Sequence, residues 1–295
     1  RIFLMLMIIS HHYVVNSELT ELFDTHEVTL NMAFLWLFGW GGKVGINCFI
    51  LITGYFMCKQ SFTWRKFFKL FLEVEFYSVF IYLVFVISGY VHFSIIDLGI
   101  SILSVVRDIG HGFVGSFVAL YLLIPAVNML VKSMSKVQFS KLLIALLAVY
   151  TIIPTFLVTH HFEYIGWYIT VYLIGSYYRL FPPTWTTNIN KIILYNVFCF
   201  FAIIASMVIM IFFDIYKGRF IPWEIYYFVN DSNKMLAIMS AFLLFMFFSN
   251  LKIKHSKIIN TIALGTFGVL LIHAHSDTMR HFLWVDVFHN TQYYN

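Results

Sequence analysis

Apolar runs of about 20 residues recur along the whole chain, separated by shorter polar segments. An α-helix rises 1.5 Å per residue, so a run of this length crosses a hydrocarbon core of roughly 30 Å. The pattern therefore predicts an all-α, polytopic transmembrane helix bundle with about nine visible helices. Their approximate positions are residues 1–15, 34–57, 67–91, 113–131, 141–158, 164–181, 191–213, 234–249 and 258–276.

The composition agrees with a bilayer environment. Of the 295 residues, 61% are apolar, 20% are aromatic and only 11% are charged, whereas soluble domains carry charge at about a quarter of their positions. No internal repeat, low-complexity segment or linker divides the sequence, so residues 1–295 are interpreted as one domain. The predicted partner is the lipid bilayer and not a nucleic acid, because in a membrane protein the placement of charge matters more than the net value of +5.

Basic residues concentrate in alternate loops. One side of the predicted bundle carries most of the 19 Lys and Arg residues, and the other side carries most of the 14 Asp and Glu residues. The basic side comprises Arg1, Lys59, Arg65, Lys66, Lys69, Lys132, Lys136, Lys141, Arg179, Lys191, Lys252, Lys254 and Lys257. Cytoplasmic loops are enriched in Lys and Arg, so this side is predicted to face the cytoplasm. Residues 92–112 lie on the outer side and carry no predicted helix.

Both ends of the chain read as incomplete. The first apolar run extends only to about residue 15, and the chain starts with Arg1. The stretch from His281 to Asn295 ends outside the membrane with no further span, which leaves an odd number of helices. The sequence thus predicts truncation at both ends and a tenth helix that is not present.

The first predicted helix carries two polar residues on one face. His12 lies eleven positions after Arg1, which is about three turns and about 16 Å along a helix. Ionisable residues inside a membrane often have functional roles, so this face is a candidate site. The alternative is that Arg1 extends to the cytoplasmic surface and that His12 only forms an interhelical hydrogen bond.

Three further basic residues lie at the start of the third predicted helix, and a second histidine lies near the end of the ninth. Arg65, Lys66 and Lys69 either anchor the topology or bind an anion at the cytoplasmic mouth of a cavity. His273 ends the run Phe267-Gly-Val-Leu-Leu-Ile-His273 and by itself reads as a packing residue. No His-x-x-x-His or Cys-x-x-Cys spacing occurs, so no metal site is predicted.

The segments in their order resemble one known family, the integral membrane acyltransferase family 3. Its first helix carries an arginine, ten residues and a histidine, which matches Arg1 and His12 in RIFLMLMIISHHY. Further resemblances are GINCFILITGYF (Gly45 to Phe56), FVALYLLIPAVN (Phe117 to Asn128), VYLIGSYYR (Val171 to Arg179) and FGVLLIH (Phe267 to His273). The chain departs from the family by having Lys66 and Lys69 where members have paired arginines, and His111-Gly-Phe113 where aromatic residues are usual.

The resemblance implies a bacterial cytoplasmic-membrane enzyme that moves an acyl group, usually acetyl, from cytoplasmic acyl-coenzyme A. The acceptor would be a hydroxyl of an extracytoplasmic or lipid-linked polysaccharide, and no tightly bound cofactor is implied.

In such a reaction, each of the polar residues described above has an expected role. His12 would be the general base, since an unperturbed imidazole titrates near neutral pH. Arg1 would orient the donor, His273 would orient the base or the acceptor, and Arg65, Lys66 and Lys69 would bind the donor phosphates. The alternative is a multi-helix transporter or flippase for a cell-envelope glycan precursor, which also needs intramembrane charges.

Overall fold

The computed structural model describes residues 1–23, 28–157, 163–218, 221 and 224–294, and these ranges contain helices but no strand. The α-helices are α1 (Ile2–Val15), α2 (Leu30–Gly39), α3 (Gly42–Met57), α4 (Trp64–Ile87), α5 (Ile95–Ile102), α6 (Ser104–Asp108), α7 (Phe113–Ser133), α8 (Lys136–Leu147), α9 (Ile153–Phe156), α10 (Tyr164–Leu180), α11 (Ile189–Tyr216), α12 (Met235–Asn250), α13 (Lys257–His273) and α14 (Asp277–His281). The all-α polytopic bundle predicted from the sequence is confirmed.

Each of the nine predicted spans contains a helix, but two of them are interrupted. The second divides into α2 and α3 at Trp40 and Gly41. The fifth runs from α8 through a π-helix (Ala148–Ile152) into α9, which contains Pro154, a residue without a backbone N–H. Residue 158, where this prediction ended, lies outside the described residues.

Length and hydropathy identify the helices able to cross a bilayer. Within the described ranges these are Leu30–Met57, Trp64–Ile87, Phe113–Ser133, Lys136–Phe156 and Ile189–Tyr216. The bent pair formed by α13 and the segment 277–292 counts as a sixth if it is taken as one span. Helices α1 and α12 are apolar but shorter.

Helix α3 lies at the centre of the bundle and packs against α1, α10 and α12. Its contact with α10 depends on two glycines, because a Cβ atom at Gly54 would lie 2.2 Å from the Tyr172 carbonyl oxygen and one at Gly175 would lie 2.4 Å from that of Leu51. Small residues allow helix backbones to approach closely in membranes. Both glycines belong to segments that carry the family resemblance, which gives those segments a packing role.

A buried asparagine ties a third helix to this pair. Asn128 of α7 donates from Nδ2 to the Met57 carbonyl over 2.9 Å, and its Oδ1 accepts from the Tyr172 hydroxyl over 2.7 Å. Polar groups inside a bundle need such partners. The C-terminal end of α3 is therefore held between α7 and α10.

The segment between α4 and α7 folds back beside α4, although the sequence predicted no helix there. The Tyr82 hydroxyl donates to the Ser94 carbonyl over 2.9 Å. Further along, Glu75 accepts from the Ser104 hydroxyl over 3.0 Å and from the Val105 N–H over 3.1 Å. Glu75 precedes Tyr82 by about two turns of α4, so α5 descends about 10 Å along that helix.

The C-terminal residues lie over the outer end of the bundle. The segment 277–292 turns by 99° from α13. Asn290 donates to the Tyr13 carbonyl over 3.4 Å, and the Tyr294 carbonyl accepts from Asn31 over 2.9 Å. The Tyr90 hydroxyl at the end of α4 donates to Asp286. This segment thereby connects the outer ends of α1, α2 and α4.

Candidate active site

Two histidines from opposite ends of the sequence meet inside the bundle. His12 of α1 and His273 of α13 are 3.0 Å apart, measured from Nδ1 of His12 to Nε2 of His273. His273 is 6% exposed, and its own Nδ1 lies 2.6 Å from the Val269 carbonyl oxygen one turn earlier in α13. The two imidazoles and this carbonyl form a chain of hydrogen bonds.

The hydrogen bonds assign the ring protons. A carbonyl oxygen only accepts, so Nδ1 of His273 carries the proton and donates to Val269. In a neutral His273 ring Nε2 then has a lone pair, and Nδ1 of His12 donates to it. Nε2 of neutral His12 is left as an unprotonated nitrogen, and no residue in the described ranges bonds to it.

The neighbouring histidine has a separate role. Nδ1 of His11 donates to the Gly39 carbonyl at the end of α2 over 2.6 Å. The ring fits because Gly42 has no side chain, since a Cβ atom there would lie 2.4 Å from Cγ of His11. Consecutive residues on a helix point about 100° apart, so fixing His11 on α2 and α3 directs His12 toward α13.

The face of α1 predicted from the spacing of its residues packs against α13. Met5 and Ile8 are 3% and 1% exposed and form a cluster with Leu270. Arg1 is one turn below this cluster and His12 is one turn above it. The apolar cluster separates the cation from the imidazole.

Three adjoining cavities follow this face. The inner cavity, of about 680 Å³, lies among five helix ends on the side that the sequence predicts to face the cytoplasm, and it is lined by Arg1, Tyr55 and Arg179 among others. The middle cavity, of about 210 Å³, shares Arg1 with it. The outer cavity, also about 680 Å³, contains His12 and meets the middle cavity at Phe113 and Leu270. Together they border α1 from end to end.

Charged residues line the outer cavity. Arg280 pairs with Asp277 over 2.8 Å, and Asp108 accepts from the Gly115 N–H over 2.6 Å. Lys43 and Arg107 also line it. Burial raises the pKa of the Asp108 carboxyl, and burial next to Arg280 lowers the pKa of His275, a further lining residue. A polar, hydroxylated ligand would find both donors and acceptors here.

The inner cavity has a different lining. Arg1 and Arg179 are cationic, and no Asp or Glu lines the cavity in the part of the chain that the structure describes. The shared face of α1 predicts Arg1 as a site residue, whereas the sequence places Arg179 only among the basic residues of the predicted cytoplasmic side. A lone arginine in the last turn of a spanning helix carries no signal that separates these two roles.

The three basic residues at the start of α4 lie away from these cavities. Arg65, Lys66 and Lys69 are exposed, and none of them lines the inner, middle or outer cavity. Their role in binding a donor stays a prediction. Within the described ranges no group of three or more His, Cys, Asp and Glu side chains is placed to hold a metal ion.

The fold and the site define a class of protein: a multi-pass membrane protein in which a buried histidine, His273, contacts a partly buried one, His12, beside a series of cavities. The sequence model of acyltransferase family 3, described as an acyltransferase domain, matches residues 1–293, and the chain belongs to this family. It is therefore a membrane acyltransferase, as the resemblance implied. No curated protein matches the chain, and no solved structure matches it.

Proposed function

We propose that this acyltransferase moves an acetyl group from cytoplasmic acyl-coenzyme A to a hydroxyl of an extracytoplasmic or lipid-linked polysaccharide in a bacterial cytoplasmic membrane. The observation that carries the proposal is the chain from His12 to His273 and the Val269 carbonyl. It supports a neutral His12 whose Nε2 is available at the outer cavity. General bases need such a nitrogen in reach of the acceptor hydroxyl.

In the proposed reaction His12 removes the hydroxyl proton of the acceptor. The acceptor oxygen attacks the thioester carbonyl carbon, the new C–O bond forms, and the C–S bond breaks. The departing sulfur takes the proton back from His12, which leaves an ester, free coenzyme A and the original neutral imidazole. His273 touches no substrate in this scheme and is a positioning residue that holds the His12 ring and its tautomer.

The cavities support the direction of transfer. The donor approaches from the cytoplasm through the inner cavity, where Arg1 orients it. Its thioester then has to reach the level of Phe113 and Leu270, where the middle and outer cavities meet. The glycan acceptor occupies the outer cavity. Arg65, Lys66 and Lys69 assist by attracting the polyanionic donor to this side of the membrane.

Membership in an acyltransferase family favours this function over the transporter alternative. The two differ in a measurable way, since a transporter moves its glycan substrate without changing it covalently. Chemical change of the acceptor is therefore the property to measure.

The test compares acetyl transfer from radiolabelled acetyl-coenzyme A to surface glycan in membranes with and without the protein. His12→Ala should lower the rate by at least about 100-fold, because general-base catalysis contributes factors of this order. His255→Ala, at an exposed position between α12 and α13, is the matched control and should leave the rate unchanged. Transfer by His12→Ala at the parental rate would show that His12 is not the base.

A further inference from the structure

Arg179, in the last turn of α10, is held by a single aromatic residue. Its Nη1 donates to the Tyr55 hydroxyl over 2.7 Å, and its guanidinium carbon lies 4.6 Å from the centre of the Tyr55 ring. Tyr55 also packs against Tyr178 and Phe245, at ring-centre distances of 5.9 and 5.4 Å. The guanidinium is thus oriented by a packed ring even though it lies at an exposed end of the bundle.

Most of the hydrogen-bonding capacity of Arg179 is unused. A guanidinium has five N–H donors, and in the described ranges only the Tyr55 hydroxyl accepts from it. No carboxylate lines the cavity there, in contrast to the outer cavity, where Arg280 is paired with Asp277. The free donors therefore face a space that has positive charge and no internal counter-ion.

The remaining polar residues of the inner cavity come from other helices. Arg1 lies at its border with the middle cavity, and Ser249 of α12 and Asn260 of α13 line it as neutral hydrogen-bonding groups. Two guanidinium groups, Arg179 in the last turn of α10 and Arg1 at the border with the middle cavity, line this 680 Å³ cavity and match a ligand with several anionic oxygens. Apolar residues such as Leu4, Ile52 and Leu264 line the rest of the cavity and would pack against an uncharged part of the same ligand.

We propose that the inner cavity is the binding site for the phosphate groups of the acyl donor, with Arg179 as the phosphate-binding residue and Tyr55 as the residue that orients it. This inference rests on the proposed function, since it assigns the donor end of the same reaction. Arg179 offers a planar fork for bidentate phosphate binding, which the exposed Lys66 and Lys69 lack.

The experiment measures binding of coenzyme A and of pantetheine, which has no phosphate group, to the purified full chain in lipid nanodiscs by titration calorimetry. Arg179→Gln should weaken coenzyme A binding by about tenfold or more, because hydrogen bonds to charged groups are strong. Pantetheine binding should stay the same. Tyr55→Phe should give a smaller loss, because the ring is kept and only the hydroxyl acceptor is removed.

Two variants control the experiment. Lys132→Gln removes an exposed cytoplasmic charge that lines none of the three cavities, and it should bind coenzyme A as the parent does. If Arg179→Gln fails to fold, as judged by its thermal unfolding midpoint, Arg179→Lys serves instead and should show a weaker loss of coenzyme A affinity with pantetheine unchanged.

Equal coenzyme A affinity in the parent and in the folded Arg179 variants would overturn the inference. If His12→Ala still abolished transfer in that case, the proposed function would stand without it. If the parental protein bound no coenzyme A at all, coenzyme A would be wrong as the donor of the proposed function. The assignment of the inner cavity as its phosphate-binding site would then be wrong too.

Discussion

Nδ1 of His12 lies 3.0 Å from Nε2 of His273, although 261 positions separate the two residues in the sequence. The partner of His273 is a backbone carbonyl and not a carboxylate. The pair therefore controls the orientation and tautomer of His12 with neutral groups alone.

Removing the positioning histidine should lower the turnover number more than it changes donor binding. In His273→Leu the Nδ1–H of His12 loses its acceptor, so the ring loses its orientation, and we expect kcat to fall about 10- to 100-fold with the donor KM unchanged. His273→Gln provides an amide oxygen at similar reach and should recover part of kcat. A purely packing role would give equal rates in the Leu and Gln variants at equal thermal stability.

The placement of His11 should depend on the absence of a side chain at Gly42. A Cβ atom there would lie 2.4 Å from the His11 ring, so Gly42→Ala should lower the unfolding midpoint and displace His12 from His273. In the double variant Gly42→Ala with His11→Ala the ring atoms no longer clash and only the 2.6 Å approach of the two Cβ atoms remains. Its loss of stability should therefore be smaller than the sum of the two single losses. Strict additivity in this double-mutant cycle would contradict the contact.

The close approach of α3 to α10 should make Gly54 intolerant of any side chain. In Gly54→Ala the new Cβ would lie 2.2 Å from a backbone oxygen, which cannot rotate away. We expect a loss of about 1–3 kcal/mol or more, seen as a lower unfolding midpoint.

Gly265→Ala is the matched control for this prediction. Nothing lies within 4 Å of the Cβ position at Gly265 in α13. That variant should be unchanged or up to about 1 kcal/mol more stable, because alanine favours helix more than glycine does. Equal changes of the unfolding midpoint in Gly54→Ala and Gly265→Ala would show that α3 and α10 lie farther apart than this structure places them.

The inner and outer cavities should open on opposite sides of the membrane. The native cysteines Cys48, Cys58 and Cys199 are buried, but Cys48 also lines the inner cavity, so the unsubstituted protein sets the labelling background. Ser249→Cys lines the inner cavity and should react with an impermeant maleimide only in inside-out vesicles. Ser276→Cys lines the outer cavity and should react only in right-side-out vesicles. Labelling of both from one side would contradict the orientation.

Much of the fold was accessible from local sequence. All nine predicted spans contain a helix, because the hydropathy of about 20 consecutive residues decides membrane insertion with little help from neighbours. The break between α2 and α3 and the helices α5 and α6 were missed. Ile95 and Ile96 of α5 are 72% and 71% exposed, but eight residues are too few for the length criterion that identifies a spanning helix.

The candidate site was only partly accessible. The face carrying Arg1, Met5, Ile8 and His12 follows from helical periodicity alone, and both histidines were selected by their position in apolar runs. Arg179 was not selected, because an arginine near a cytoplasmic helix end is common for topological reasons. Its distinguishing property is the contact with Tyr55, from another helix.

The sequence by itself determined where the helices lie, which side carries the basic loops and which residues of α1 share a face. These depend on hydrophobicity and on the geometry of one helix. Only the tertiary structure decided that His11 contacts Gly39 while His12 contacts His273, and that Arg179 joins Arg1 at one cavity. Those relationships depend on how distant helices pack, which is set by glycine contacts and buried polar groups that have no local periodic pattern.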